Sequence, residues 1–206
     1  MLRQDVQDPR QFTQLSTTNP LVARTAVAEV FDGLELRVVG HPDLFRMRVS
    51  GVECLAIASA HIAARGDVDL VSPRLQHNYL VVQAFDEECA VEWDGERVVL
   101  APGDILISSP GQTLVASIRG QGMVRIISIR ERLVWRVFAA LTGFLPTRPI
   151  RFDTVASGDS GSWGAWSAET GMLLDRLENG RQPFDLRFLH YAETLFVSGF
   201  GRALAA

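Results

Sequence analysis

From Leu34 to Ile129 apolar and polar residues alternate with a period of two. Turn residues punctuate that stretch at short intervals, among them His41-Pro42-Asp43, Ser50-Gly51, Gly66-Asp67, Asp94-Gly95 and Pro102-Gly103-Asp104. Nine or ten short strands divided this way predict a sandwich or barrel. The clearest hairpin is Asp94-Gly95, set between Ala90–Trp93 and Arg97–Leu100, because glycine accepts the positive φ of a tight turn. Outside this region the spacing is three to four. It predicts a helix from Leu21 to Phe31, stopped near Gly33, and a second through Leu133, Val134, Val137, Phe138 and Leu141, stopped at Gly143. After a Ser/Gly-rich loop, Trp166, Leu173, Leu174 and Leu177 mark a third helix ended by Asn179-Gly180. A fourth runs from about Phe184 to Leu204, with Phe188, Leu189, Ala192, Leu195, Phe196 and Gly199 on its apolar side. Strands first and helices last make an α+β protein, a β-barrel followed by a helical hairpin. The expected organisation is a polar lead over 1–19, a barrel with flanking helices over 20–145, and a linker with the C-terminal helical pair over 146–206.

Side-chain parity gives the candidate chemistry. Read as one strand, Glu53–Ala63 puts Leu55, Ile57, Ser59 and His61 on one face. His77–Phe85 puts His77, Tyr79, Val81, Gln83 and Phe85 on one face and Asn78, Leu80, Val82 and Ala84 on the other. Both faces of the second strand are largely apolar, as for a barrel strand also covered from outside. A few polar groups in an apolar interior make a small-molecule pocket, although polar residues at strand ends are also satisfied core or rim groups. Arg46 and Arg48 alternate with Phe45, Met47 and Val49 and are therefore expected to face solvent. Arg74 is better placed to reach over a barrel mouth and hold a carboxylate in two-pronged fashion.

Composition narrows the function classes. The chain has 206 residues, 47% hydrophobic and 21% charged, enough apolar material to build a core without cross-links. The net charge of −4 gives no general basic excess for nucleic acid. All 20 cationic side chains are arginine, so a phosphate-binding loop lysine is excluded. No Gly-x-Ser-x-Gly elbow is present, and Cys54 and Cys89 sit in strand-like sequence as small hydrophobes. The lead lacks the apolar core of a signal peptide, and no apolar run is long enough to span a bilayer. A cytoplasmic protein is expected. Four histidines, His41, His61, His77 and His190, include no pair at i, i+2 or i, i+4, so no metal and no cofactor is expected.

Three segments together resemble the cupin-like sensory domain of AraC/XylS-type transcription regulators. They are Asn78-Tyr79-Leu80-Val81-Val82-Gln83, Trp93-Asp94-Gly95-Glu96 and Leu100-Ala101-Pro102-Gly103-Asp104-Ile105. A helix before the barrel, a helix after it and a closing helical pair extend the resemblance over roughly Pro20 to Ala206. It implies a jelly-roll cupin barrel, a non-enzymatic effector sensor and a homodimer. Effectors in that group are small organic molecules, often aromatic or acidic. The His-x-His strand of metal-dependent cupins is replaced by Gln76-His77-Asn78, and the later histidine by Gln112-Thr113. Regulators of this type also carry two helix-turn-helix motifs that these residues do not contain, so contact with nucleic acid is expected only through such a further domain. On this basis His61, Tyr79, Gln83 and Trp93 are expected to line the pocket, with Arg74 at its mouth. Leu189, Ala192, Phe196 and Gly199 are expected to form the dimer seam. The alternatives are a cupin-fold metalloenzyme using His61 and His77, and an oligomerisation module with a filled barrel.

Overall fold

The computed structural model of the chain describes residues 10–31, 33–72, 76–152, 155–157, 161–179 and 186–205, leaving aside the side chains at 10–12, 54, 178–179, 188 and 202–205. Between Leu34 and Arg130 ten strands follow one another: β2 (Glu35–Val38), β3 (Arg46–Cys54), β4 (Ile57–Arg65), β5 (Val68–Ser72), β6 (Asn78–Ala84), β7 (Cys89–Trp93), β8 (Glu96–Leu100), β9 (Ile105–Ser108), β10 (Leu114–Ile118) and β11 (Gln121–Arg130). With β1 (Arg10–Thr17) and β12 (Val155–Ala156) they form two antiparallel sheets. One has the order β1-β3-β4-β11-β6-β9-β12 and the other β2-β5-β10-β7-β8. The Asp94-Gly95 hairpin is as expected, with φ of +49° and +88° and Trp93 paired with Glu96. Arg46 and Arg48 are exposed, and Phe45, Met47 and Val49 between and beside them are buried.

Two apolar cores result. The first lies between the sheets and takes Val49, Ile62, Leu80, Val82 and Ile126 from one sheet and Leu36, Leu70, Val91 and Leu114 from the other. Helix α1 (Pro20–Val30), capped by the Asn19 side chain on the Leu21 N–H at 2.9 Å, adds Ala23, Val27 and Val30 to it. The second core lies on the outer face of the seven-stranded sheet. Here α2 (Glu131–Thr142), α3 (Gly161–Asn179) and α4 (Leu186–Ala205) pack on Val52, Ile57, Tyr79, Val81, Ile127 and Ile129. Strand β6 is thus buried on both faces, as its sequence implies. The terminal pair α3 and α4 is tied together by Trp166, whose indole N–H donates to the Phe196 carbonyl at 3.1 Å.

Three local expectations need correction. The polar lead contains β1, which pairs with β3 from Arg10↔Cys54 to Thr17↔Met47. Glu53–Ala63 is not one strand: Leu55-Ala56 is a two-residue turn with Leu55 at φ +52°, and Cys54 pairs with Ile57. Ser50-Gly51 is not a turn but the middle of β3. A Cβ at Gly51 would come within 2.8 Å of the Ala60 Cβ, so the glycine permits close approach of two strands.

Candidate functional site

The sheets leave one end of the barrel open, and a cavity of about 780 Å³ occupies it. Its walls come from the ends of strands. Ser72 closes β5, Ile57 and Ala58 open β4, Asn78 begins β6, and Ser128 stands near the end of β11. The Leu55-Ala56 turn forms part of the lip, with Val30 and Gly33 from the end of α1 and Arg130, Glu131 and Arg132 from the start of α2. Parity explains why polar groups gather here. Asn78, Ser128 and Arg130 share the inward phase of Leu80, Val82, Val124 and Ile126, and at the strand ends that phase passes from core to open space.

Two buried polar atoms on this lining have no hydrogen-bond partner among the described residues. One is the Ser72 hydroxyl, on a residue only 1% exposed; the other is Glu131 Oε1. The Glu131 side chain is 13% exposed, and its second oxygen lies 4.0 Å from Nδ1 of the solvent-facing His77. Glu131 occupies the first turn of α2, where the helix dipole favours a negative charge. Its N–H donates to the His77 carbonyl at 2.8 Å, which fixes the start of the helix against β6. Leaving a buried carboxylate oxygen unpaired is unfavourable by roughly 1–3 kcal/mol or more, and a donor placed in the cavity could relieve that cost.

The lip is also wired to α4. The Ala56 carbonyl accepts from the Arg130 N–H at 2.9 Å, and the Ala56 N–H donates to Oε1 of Glu193. Glu193 is buried on α4, and its Oε2 lies 3.7 Å from His190 Nδ1. Burial pushes the Glu193 carboxyl above the usual glutamate range, against the opposing effects of the Ala56 N–H and nearby His190, Arg136 and Arg130.

None of the described residues expected to line the pocket borders this cavity. His61, Tyr79 and Gln83 point away from the barrel interior, into the layer beneath the helices. His61 Nε2 accepts from Arg125 Nε at 2.8 Å, and the Arg125 guanidinium sits 4.9 Å from the centre of the Phe85 ring. Gln83 donates to the Ser167 hydroxyl of α3 at 2.8 Å. The Tyr79 hydroxyl accepts from the Ile150 N–H at 2.9 Å, and burial raises its pKa against the lowering effect of that bond. Gln83 and Tyr79 thus tie α3 and the loop after α2 to the sheet, while His61 is bound to β11 within the sheet. Trp93 faces the inner core from the other sheet, in the cross-strand row Ser72↔Leu114↔Trp93. Two strand spacings, about 10 Å, separate it from Ser72. Arg74 falls outside the described residues. Of the polar groups read from the strand pattern, His77 reaches the cavity. Sequence reading missed Ser72, Glu131 and the two arginines beside Glu131. The available signal was the Arg130-Glu131-Arg132 triplet directly after the apolar run Ile126–Ile129.

The metalloenzyme alternative requires His61 and His77 to converge. His61 is level with Gln83 through their common partner Arg125, whereas His77 precedes β6 by one residue. Six residues along a strand put them about 20 Å apart, and no group of three or more metal-ligating residues occurs among the described residues. Leu189, Ala192, Phe196 and Gly199 are buried within one chain, against the sheet and α3, while Tyr191 and Leu195 face outward. The buried thiol of Cys89 has its pKa raised to about 11 by burial, which suits a small hydrophobe. No described helix is long and apolar enough to cross a membrane.

Comparison with solved structures matches this architecture to the AraC-like transcriptional activator CuxR, at a TM-score of 0.65 and 13% identity over 94% of this chain and 70% of that one. An RmlC-like cupin from Shewanella frigidimarina aligns over 48% of this chain and 85% of its own, with 17% identity and a TM-score of 0.36. The Cnp3 cupin domain of Schizosaccharomyces pombe aligns over 49% and 74%, with 13% identity and a TM-score of 0.37. No curated protein matches the sequence. The AraC-binding-like domain family matches residues 23–199. With its cupin-like barrel and closing helices, the chain belongs to the AraC-binding-like domain family.

Proposed function

We propose that this chain is the effector-sensing and dimerisation domain of an AraC/XylS-like transcription regulator, acting in the cytoplasm and without enzymatic activity. A small organic effector enters the barrel-mouth cavity, and the outer faces of α2 and α4 meet a second copy. The domain acts on DNA through a helix-turn-helix domain of the kind that family membership implies. One observation carries this reading: the lip of the cavity is hydrogen-bonded to α4. Ala56 takes part on both sides, its carbonyl bound to the start of α2 and its N–H to Glu193 of α4. The turn between them holds Leu55 at φ +52°, a conformation that disfavours non-glycine residues by about 1–2 kcal/mol. An occupant that displaces this turn therefore shifts α2 and α4 together. In thermodynamic terms the effector binds one arrangement of the helices better than the other, and the populations follow.

The test is a thermal-shift screen of small metabolites, followed by amide exchange on wild type and Glu193→Leu with any hit. The hit should raise the melting temperature of both proteins. It should alter exchange in α4 only where Glu193 holds the turn. An equal α4 response in the variant sinks the proposed route. The absence of any stabilising small molecule sinks the sensing role.

A further inference from the structure

The mouth cavity carries a charge pattern that restricts what it takes, and the inference drawn from it rests on the effector-sensing reading. Four formally charged residues line the cavity besides His77: Arg130 and Arg132 against Glu53 and Glu131. Neither arginine makes a side-chain hydrogen bond or close ion pair among the described residues. Glu131 has one oxygen wholly buried without a donor, and its other oxygen lies 4.0 Å from Nδ1 of the His77 imidazole, which is 83% exposed. A carboxylate gains more from a charged donor than from a neutral one, because charge-assisted hydrogen bonds are the stronger kind. Ser72, buried to 1% with its hydroxyl unpartnered on the same lining, offers a second acceptor.

A purely anionic ligand would satisfy the guanidiniums and leave Glu131 repelled and unpaired. A purely cationic amine would pair with Glu131 and bring no carboxylate to the two arginines, which share the lining with Glu53. A ligand carrying both charges meets both halves of the lining. We propose that the cavity binds a zwitterionic amino acid, its ammonium donating to Glu131 Oε1 and the Ser72 hydroxyl and its carboxylate held by Arg130 and Arg132. The apolar part of the lining, Val30, Leu55, Ile57 and Ala58, receives the side chain. A guanidinium pair suits a carboxylate geometrically, since each planar fork can engage both oxygens.

The experiment is a thermal-shift and calorimetric panel of the standard amino acids on the whole chain. Each hit is compared with its des-amino acid, its decarboxylated amine and the matching hydroxy acid. At least one amino acid should stabilise the protein, and removal of either charged group should weaken binding at least tenfold. Glu131→Gln should remove the preference for the amine over the hydroxy acid. Arg132→Gln, at an exposed position that folding tolerates, should weaken the carboxylate-bearing ligands and spare the decarboxylated amine. The proposal is overturned if no amino acid shifts the transition, if the best ligand lacks either charge, or if Glu131→Gln binds it unchanged. Ala58→Phe, which fills the cavity, separates this failure from that of the wider reading. A ligand of another class lost in Ala58→Phe overturns the amino-acid assignment and leaves effector sensing standing, whereas no ligand of any class overturns both.

Discussion

A carboxylate taken out of water is stabilised only by what it touches, and Glu193 touches a peptide N–H and the edge of an imidazole. Burial outweighs both, so its carboxyl titrates above the ordinary glutamate value. The folded protein then holds this proton over a pH interval in which the unfolded chain has released it. Stability accordingly falls as pH rises from the ordinary glutamate value through the raised one, and the loss is complete above it. Glu193→Gln keeps an oxygen for the Ala56 N–H and removes the ionisation. The variant should be more stable than wild type at neutral pH and lose that advantage on acidification toward the ordinary glutamate range. Urea midpoints measured across that range check this, and a pH-independent difference contradicts it. At this scale the sequence was legible in phase but not in direction. The alternation correctly groups Tyr79 with Gln83 and Asn78 with Leu80. It does not say which group faces the barrel, because the helices bury the outer face as fully as the barrel buries the inner one. Polarity therefore pointed to His61, Tyr79 and Gln83, whose partners come from β11, α3 and the loop after α2.

Elements with strong local signals are where the sequence places them. Helix α2 stops at Gly143, whose φ of +77° lets its N–H reach the Ala139 carbonyl at 2.8 Å, and the Asp94-Gly95 hairpin carries its turn chemistry in its own two residues. Elements made by partners were not legible. The strand β1 is polar because it adds to an edge through backbone bonds, which carry no side-chain pattern. The Leu55-Ala56 turn lacks glycine, while Gly51, four residues earlier, mimics a turn signal. The seating of α3 belongs to the same class, since it depends on a residue that hydrophobic patterning ignores. Gly171 faces the Arg125 guanidinium, and an added Cβ would lie 3.4 Å from Nη1. That is ordinary contact, so Gly171→Ala should fit and gain up to about 1 kcal/mol of helix propensity. Gly171→Leu has no room for its further carbons without pushing α3 off the buried arginine. Amide exchange should then rise in α3 and leave the barrel strands as protected as before. Equal tolerance of alanine and leucine would show that α3 is not held close to the sheet at this point.

At the scale of the whole molecule, the outer surface of the helical layer carries apolar side chains that one chain leaves uncovered. On α4 Tyr191 is 62% exposed and Leu195 48%, four residues apart and hence on one face. Helix α2 packs beside α4, with Leu141 against Gly201, and leaves Phe138, Leu141, Phe144 and Leu145 accessible at its end. Isolated exposed hydrophobes are ordinary, whereas several of them on two adjoining helices make a candidate for the proposed seam. The proposed dimer uses this surface, because Leu189, Ala192 and Phe196 are already spent on the intrachain core. The two seams predict different behaviour. Tyr191→Glu with Leu195→Glu places two charges on the outer face, and light scattering across a concentration series should show wild type at twice the mass of a folded, monomeric variant. Ala192→Glu instead puts a charge into the core beneath α4, where it has no partner, and should unfold the domain rather than separate it. A wild type that stays monomeric at the highest concentration removes dimerisation from the proposed function. A double variant that remains dimeric moves the seam to another face. Should a dimer form through α4, the Glu193 link would place the seam one hydrogen bond and one helix turn from the cavity lip. Occupancy of the cavity would then change dimer geometry without any long-range rearrangement of the barrel.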